Sequence, residues 1–286
     1  MIIAVVGPTG VGKTKLSVEL AKKYNAIIIS CDATQIYKGL NIGSAKVTEE
    51  EKEGIEHFLI DILEPNEYYS VKNYQENFRE LLEKHKDRNI IIVGGTGLYL
   101  CAGILDYRFS EEENNIEFNN FTTEELFNMA LLKDKNMQID KNNRVRLIRF
   151  LSKKETENVE PIPLYNVTIV GLTTNRKTLY ENINIRVDNM INSGLIDEVK
   201  KLNLEYPDSR ILKTAIGYKE IIAYLNGVVE LDTAIDEIKK NSRHYAKRQY
   251  TWFKNKMDVK WFDVSYNCFT STINEVKDYI ENIYKI

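Results

Sequence analysis

The sequence predicts an α/β protein: a mostly parallel sheet flanked by helices, with a small helical insertion domain. Three observations carry this expectation. Short, continuously apolar β-rich runs recur at 2–6, 26–30, 57–62, 89–93, 166–172 and 259–262, as strands buried on both faces require. Helical patterns separate them at 13–24, 70–86, 175–192, 214–225 and 231–256, which suits crossover connections. The first run also passes straight into Gly7-Pro8-Thr9-Gly10-Val11-Gly12-Lys13-Thr14. That is G-x-x-x-x-G-K-[ST] between a strand and a helix, so the sheet is expected to be of the P-loop type.

The loop reads as a diphosphate or nucleotide site over all eight residues. Gly7 and Gly12 let backbone N–H groups converge on a polyphosphate, and the following helix adds its positive dipole end. Lys13 supplies a point charge, and the Thr14 hydroxyl is suited to a phosphate-bound Mg²⁺. The second strand ends in Ser30-Cys31-Asp32-Ala33-Thr34-Gln35. Ligands of open α/β sheets bind beyond the carboxyl ends of strands, so Asp32 shares a rim with the phosphate loop. It reads either as a carboxylate that holds Mg²⁺ or takes a proton, or as a solvated turn residue. The fourth strand runs into Gly94-Gly95-Thr96. The glycines would let backbone approach a ligand, with Thr96 facing the rim or simply capping the next helix. A motor ATPase would usually end this strand in Asp, so Gly-Gly argues against one.

From Asp106 to about Pro163 no convincing strand appears. We expect a P-loop core over 1–106 and 163–286 and a helical insertion over 107–162. The insertion has an acidic, Asn-rich stretch at 110–120, helices near 123–133 and 142–155, and a cluster of Arg144, Arg146 and Arg149. Residues 239–256 contain Lys239, Lys240, Arg243, Lys247, Arg248, Lys254 and Lys256 and no acid. Arg243 and Lys247 share a helix face, and Ile235, Ile238, Tyr245 and Trp252 form the apolar stripe. The basic face suits nucleic-acid backbone, with aromatics for stacking; the plain alternative is a solvated face.

The composition is globular, with 43% hydrophobic residues among 286. No apolar stretch reaches membrane-spanning length, and a first strand starting at once leads us to expect no signal peptide. Cys31, Cys101 and Cys268 are widely spaced, which fits a reducing cytoplasm and neither a disulfide framework nor a zinc site. The net charge of −3 weighs against nucleic acid as a partner, although a localised basic face still captures phosphates. His57 reads as structural, Asp61 as a capping or metal-shell residue, and Cys31 and Cys101 as small core residues.

In order along the chain, these segments resemble the tRNA dimethylallyltransferase (tRNA isopentenyltransferase) family. The pieces are 7–14, Ser-Cys-Asp-Ala-Thr-Gln-Ile-Tyr-Lys-Gly-Leu-Asn-Ile-Gly-Ser-Ala-Lys (30–46), His-Phe-Leu-Ile-Asp-Ile-Leu-Glu-Pro (57–65), Tyr-Ser-Val (69–71) and Val-Gly-Gly-Thr-Gly-Leu-Tyr (93–99). They continue with Asn-Arg-Val-Arg-Leu-Ile-Arg (143–149), Arg-Val-Asp-Asn-Met (186–190), Gly194-Leu195, Ala-Ile-Gly-Tyr-Lys-Glu (215–220) and Ala-Lys-Arg-Gln-Tyr-Thr-Trp-Phe (246–253). The family commonly has Ser, His and Arg where this chain has Ala33, Phe58 and Asn182.

The resemblance implies a prenyltransferase that moves a dimethylallyl group from its diphosphate to N6 of the adenine 3′ of the anticodon. Lys13, Asp32 and Thr96 would be catalytic: Lys13 stabilises departing diphosphate, Asp32 takes the N6 proton, and Thr96 sits near the reacting carbon. The loop would grip the donor's diphosphate, with Mg²⁺ on Thr14. Contacts to the anticodon stem-loop would come from Asp32, Ala33, Thr34, Gln35 and Thr96. Val145, Arg146, Leu147, Ile148 and Arg149, with Arg243, Lys247, Arg248 and Gln249, would add to them. A cytoplasmic monomer with no membrane partner is expected. The rival expectation is a P-loop small-molecule or nucleoside kinase, which leaves the basic helix at 239–256 without a purpose.

Overall fold

Continuous apolar runs form strands here because both faces of the sheet are covered. β1 (Ile2–Val6) leads through the phosphate loop into α1 (Lys13–Tyr24), which returns to β2 (Ala26–Cys31). A short α2 (Glu49–Lys52) and a two-residue β3 (His57–Phe58) precede α3 (Val71–Lys84), β4 (Asn89–Gly94) and α4 (Gly97–Ile104). Next come α5 (Thr123–Lys133), α6 (Arg144–Ser152) and β5 (Val167–Thr173). They are followed by α7 (Arg176–Asn192), α8 (Leu195–Glu205), α9 (Arg210–Thr214), α10 (Tyr218–Leu225) and the long α11 (Leu231–Lys256). Last are β6 (Lys260–Asp263) and α12 (Phe269–Tyr284). The structure, a computed structural model, describes residues 1–109, 118, 120–152 and 161–286.

The strands form one sheet in the order β3-β2-β4-β1-β5-β6, and every pair is parallel. This is the fold class the sequence led us to expect. Alternate residues of each strand feed two cores. Ile3, Val5, Ile28, Ile91, Val170 and Leu172 face one core with α1, α7 and α12. Ala4, Val6, Ile27, Ile29, Ile90 and Ile92 face the other, with Tyr74, Phe78, Leu100, Ile104 and Phe253. β1 lies between β4 and β5. The chain crosses from one side of β1 to the other after β4, which leaves a crevice at the carboxyl ends of these strands.

The chain divides into two compact units, Met1–Leu105 with Pro163–Ile286, and Asp106–Ile162. The second is a small helical unit whose buried residues are Leu126, Ala130 and Leu147. Its α5 starts with Thr122 and Glu125 in a reciprocal capping box. Residues 110–117, 119 and 153–160, covering most of the expected acidic stretch and the end of the second expected insertion helix, lie outside the described residues.

The elements correct three expectations. The strand expected over 57–62 stops after Phe58, because Leu59 and Asp61 adopt φ of 59° and 54°, a left-handed backbone that cannot continue a ladder. Ile62 is accordingly 41% exposed. The single helix expected over 214–225 is α9 and α10, separated where Ala215 turns extended at ψ 138°. α8 and α12 go beyond the expected helices, although Leu195, Val199 and Leu202, and Ile273, Val276 and Ile280, are buried at helical spacing.

One carboxylate fixes the loop that follows β2. Glu198 of α8 accepts the N–H groups of Asn41, Ile42 and Gly43 at 3.1, 2.8 and 3.2 Å, and the Tyr218 hydroxyl at 2.7 Å. Glu198→Ala leaves those donors without their acceptor and is expected to cost about 1–3 kcal/mol. Urea unfolding measures it; an unchanged midpoint would show that the loop holds without this carboxylate.

Candidate functional site

The phosphate loop takes its shape from Gly12, which caps α1 at φ 90° and ψ 21°, a conformation that costs glycine nothing. Beyond it the first-turn N–H groups of α1 have no intrahelical partner and point at the crevice. Val11 is fully buried in the core, so it can serve the loop through its backbone only. The Lys13 ammonium donates to the Pro8 carbonyl at 2.8 Å and so lies back across the loop. Tyr266 donates to the Gly10 carbonyl at 3.2 Å. Together with Arg186 and Phe269 it lines an open cavity of about 430 Å³ along the loop.

A second cation, from α7, completes the loop. Arg186 donates to the Thr9 hydroxyl at 3.0 Å. Its guanidinium and the Asp32 carboxylate both act on Lys13 electrostatically. Burial, reinforced by Arg186 and opposed by Asp32, pulls the Lys13 pKa down to about 7. Burial also lowers Arg186, with Asp32 acting to raise it. The sequence reading placed Arg186 in a matching segment but gave it no role. The missed signal is its place on α7 between the buried Ile183 and Val187.

Asp32 leaves the end of β2 and folds its own turn. Its Oδ1 accepts the N–H groups of Thr34 and Gln35 at 2.8 and 3.2 Å. Gln35 in turn donates to the carbonyls of Ser44 and Ala45 at 3.4 and 3.2 Å. Thr96 lies beside this turn. Its backbone N–H donates to the Cys31 carbonyl at 3.1 Å, and its hydroxyl accepts the Ala33 N–H at 3.2 Å. Thr96 is the N-cap residue of α4 but makes no side-chain cap bond, so its hydroxyl is turned to the β2 rim. Tyr245 of α11 lies close to the side chains of Thr96 and Gln249, and burial pushes its phenol up to about 12. We read Tyr245 as apolar stripe in the sequence; the structure gives its hydroxyl a place in the site.

Two further expectations change. Gly94 and Gly95 were expected to bring backbone to a ligand, but a Cβ at Gly94 would lie 2.1 Å from the Cys31 carbonyl of β2 and one at Gly95 1.9 Å from Gln249 Nε2; at Gly97, outside that pair, it would lie 2.0 Å from Trp252. Gly95 and Gly97 make room for α11, and Gly94 for β2. Gln249, expected to touch RNA, is 5% exposed, and its amide bonds Thr9 N–H at 2.9 Å and the Gly95 carbonyl at 3.1 Å. On the basic face, Lys239 pairs with Asp188 at 2.6 Å and Arg243 donates to Asn184 at 2.7 Å. Lys247, Arg248, Lys254 and Lys256 are exposed. In the helical unit, Val145, Arg146 and Arg149 are exposed and Ile148 is half-buried. Leu147 is 0% exposed; its side chain holds the unit's core, which corrects its expected RNA contact.

Among the described residues no cluster of three or more His, Cys, Asp or Glu is placed to hold a metal. The donor set available is the Thr14 hydroxyl at the start of α1 plus whatever oxygens a phosphate ligand brings. That fits Mg²⁺, which commonly takes few protein ligands and completes its shell with phosphate and water. No helix among the described residues is long and apolar enough to cross a membrane.

The comparisons agree with this geometry. A family model described as IPP transferase matches residues 35–256. The tRNA dimethylallyltransferase of Fusobacterium nucleatum is 44% identical over 280 residues, covering 92% of this chain and 91% of its own. That of Bacillus subtilis is 44% identical over 291 residues, with the same coverage. Among solved structures, the tRNA isopentenylpyrophosphate transferase of Bacillus halodurans is 41% identical with a TM-score of 0.77, covering 98% of this chain and 95% of that one. A eukaryotic dimethylallyltransferase acting on tRNA, 24% identical, shares the fold with a TM-score of 0.82 over 98% of this chain and 79% of its own.

The depressed Lys13 predicts a proton-linked ligand. An anion in the loop restores the lysine proton, so pyrophosphate binding at pH 8 should take up more proton in the wild type than in Lys13→Ala. Calorimetry in two buffers of different ionisation heat reads the difference; equal uptake would place Lys13 outside the anion site. The sign for folding follows from the same shift. The folded pKa lies below the unfolded 10.5, so the ligand-free protein gains stability from this group as pH rises from about 7 toward 10.5.

Proposed function

Because the chain belongs to the IPP transferase family, we propose that it transfers the dimethylallyl group of dimethylallyl diphosphate to N6 of the adenine 3′ of the anticodon in tRNA. The observation that carries this reading is the convergence of Lys13, Arg186 and Asp32 on one phosphate loop. The cations grip a diphosphate and the carboxylate faces the nucleophile. Diphosphate is then the leaving group, and the loop has no need of ATP. The kinase reading is not favoured: it accounts for neither Asp32 beside Thr96 nor the exposed cations of α11.

The roles follow from the chemistry. The N6 amine forms a bond to the allylic carbon as the carbon–oxygen bond to diphosphate breaks. Lys13, Arg186 and the loop amides stabilise the charge that collects on the departing oxygens. Asp32 accepts the proton that N6 loses, which matters because the ring delocalises that lone pair. Thr96, fixed beside Asp32, lies along the path between amine and leaving group. When bound, Mg²⁺ adds charge neutralisation on the diphosphate, with Thr14 as the residue that would hold it. The adenine leaves the anticodon stack to reach this rim. Lys247 and Arg248, with Arg146 and Arg149 of the helical unit, serve RNA phosphates.

Purified protein with an anticodon stem-loop and radiolabelled dimethylallyl diphosphate should label the RNA, while an ATP control shows no phosphoryl transfer to nucleoside. The reverse pattern would transfer the protein to the kinases. In that assay Asp32→Ala should lower turnover at saturating substrates by about 10²–10⁴-fold with RNA affinity little changed; near-normal turnover would remove Asp32 as the base.

The exposed cations predict a salt-dependent capture step. Lys247→Ala with Arg248→Ala should weaken stem-loop binding and reduce the log–log salt slope by roughly 0.7–0.9 for each RNA phosphate the protein then leaves unneutralised. Filter binding over a salt series measures both. Unchanged affinity and slope would mean a plain solvated face.

A further inference from the structure

Gln249 has two neighbours that lie far from it in sequence. It stands near the end of α11 and is 5% exposed. Its Oε1 accepts the Thr9 N–H at 2.9 Å, and its Nε2 donates to the Gly95 carbonyl at 3.1 Å. The orientation of the amide is fixed by chemistry, since one partner can only donate and the other only accept. A Cβ at 95 would lie 1.9 Å from Nε2, so a larger residue there would displace the Gln249 amide. Tyr245, one turn earlier on the same helix, lies close to both Gln249 and Thr96.

These bonds join the two halves of the site. Thr9 belongs to the phosphate loop, and its hydroxyl holds Arg186. Gly95 precedes Thr96, whose hydroxyl holds the Asp32 turn through Ala33. The phosphate loop follows β1, the Gly95-Thr96 turn follows β4 and the Asp32 turn follows β2, and beyond the strand ends no ladder sets their separation. We propose that Gln249 is a positioning residue that fixes the distance between the diphosphate cradle and the acceptor turn, and that it does not bind RNA. An in-line displacement depends on that distance, because amine, carbon and leaving oxygen must be collinear within a narrow range. The Thr9 N–H is spent on this strut, so the anion must be held by the amides further along the loop and by the two cations.

This inference rests on the prenyl-transfer reading above. The experiment uses the full chain, an anticodon stem-loop and dimethylallyl diphosphate, with Gln249→Ala and the volume-preserving Gln249→Met. Turnover at saturating substrates should fall on the order of 10²-fold in both, as a displacement near 1 Å can cause. Donor KM should change only a few-fold, since Lys13 and Arg186 remain, and RNA affinity and salt slope should not move. Gly95→Ala should give the same split from the other side of the contact. Retained turnover with weakened RNA binding would make Gln249 an RNA contact and overturn the proposal. Retained turnover with only a lower melting temperature would make it a structural strut and also overturn it. If the alanine variant does not fold, the methionine variant decides. A wild type that labels no RNA would defeat the transfer reading itself, a result distinguishable from the others.

Discussion

The site depends on two half-buried cations, Lys13 and Arg186, held together at one loop. Lys13 and Arg186 share the carboxyl end of β1 with Asp32 as their nearby counter-charge. Desolvating cations works against folding, and it is the main cause that lowers Lys13 to about 7. The apolar strands offset that cost. β1 is packed from both faces, with Ile3 and Val5 on one side and Ala4 and Val6 on the other. A sheet with one wetted face would have less burial to set against the same desolvation. The strain is relieved when an anion enters, so the site is least comfortable when empty and best satisfied when loaded.

α11 shows why one helix carries two functions. Its buried side inserts Phe253 into the sheet core and Gln249 between the phosphate loop and the Gly95-Thr96 turn. Its exposed side presents Lys247, Arg248, Lys254 and Lys256. Arg248 lies 5.7 Å from the ring of Tyr245, so the two sides meet at one residue. Whatever docks on the basic face is therefore registered against the same helix that sets the geometry of the loop. Twenty-six residues of continuous helix make that registration stiff, because hydrogen bonds repeat at every turn.

The fold was legible in the sequence because its signals are local. The runs at 2–6, 26–30 and 89–93 are apolar on both faces, which only a covered parallel sheet satisfies. Lys13, Thr14 and Asp32 were legible because each sits close to a strand end or opens the helix that follows one. What was not legible depends on partners remote in sequence. Arg186 is an ordinary helical arginine until α7 brings it to Thr9, 177 positions away. Gln249 looked like part of a basic, RNA-facing segment, and only the approach of Gly95 shows that it points inward. Gly94 and Gly95 signalled close approach correctly, but the objects approached are the backbone of β2 and Gln249 of α11. Leu147 was drawn into a basic cluster by its neighbours, whereas its periodicity places it in the core of the helical unit.

Strand order explains how a carboxylate and a diphosphate can share a site. β4 lies between β2 and β1, so Asp32 and the phosphate loop stand two strand spacings apart, about 10 Å. Adjacent strands would bring the base roughly 5 Å from the anion, and the repulsion would raise the cost of holding both charged. The intervening turn is Gly94-Gly95-Thr96, which carries no charge. In the proposed transfer the neutral allylic group would lie at this turn, with its amine partner on the β2 side and its leaving group on the β1 side. An acid at the end of β4, as a hydrolytic ATPase would have, would put negative charge where the carbon must pass. Under the proposed transfer, the neutral turn and the separated charges serve the same step.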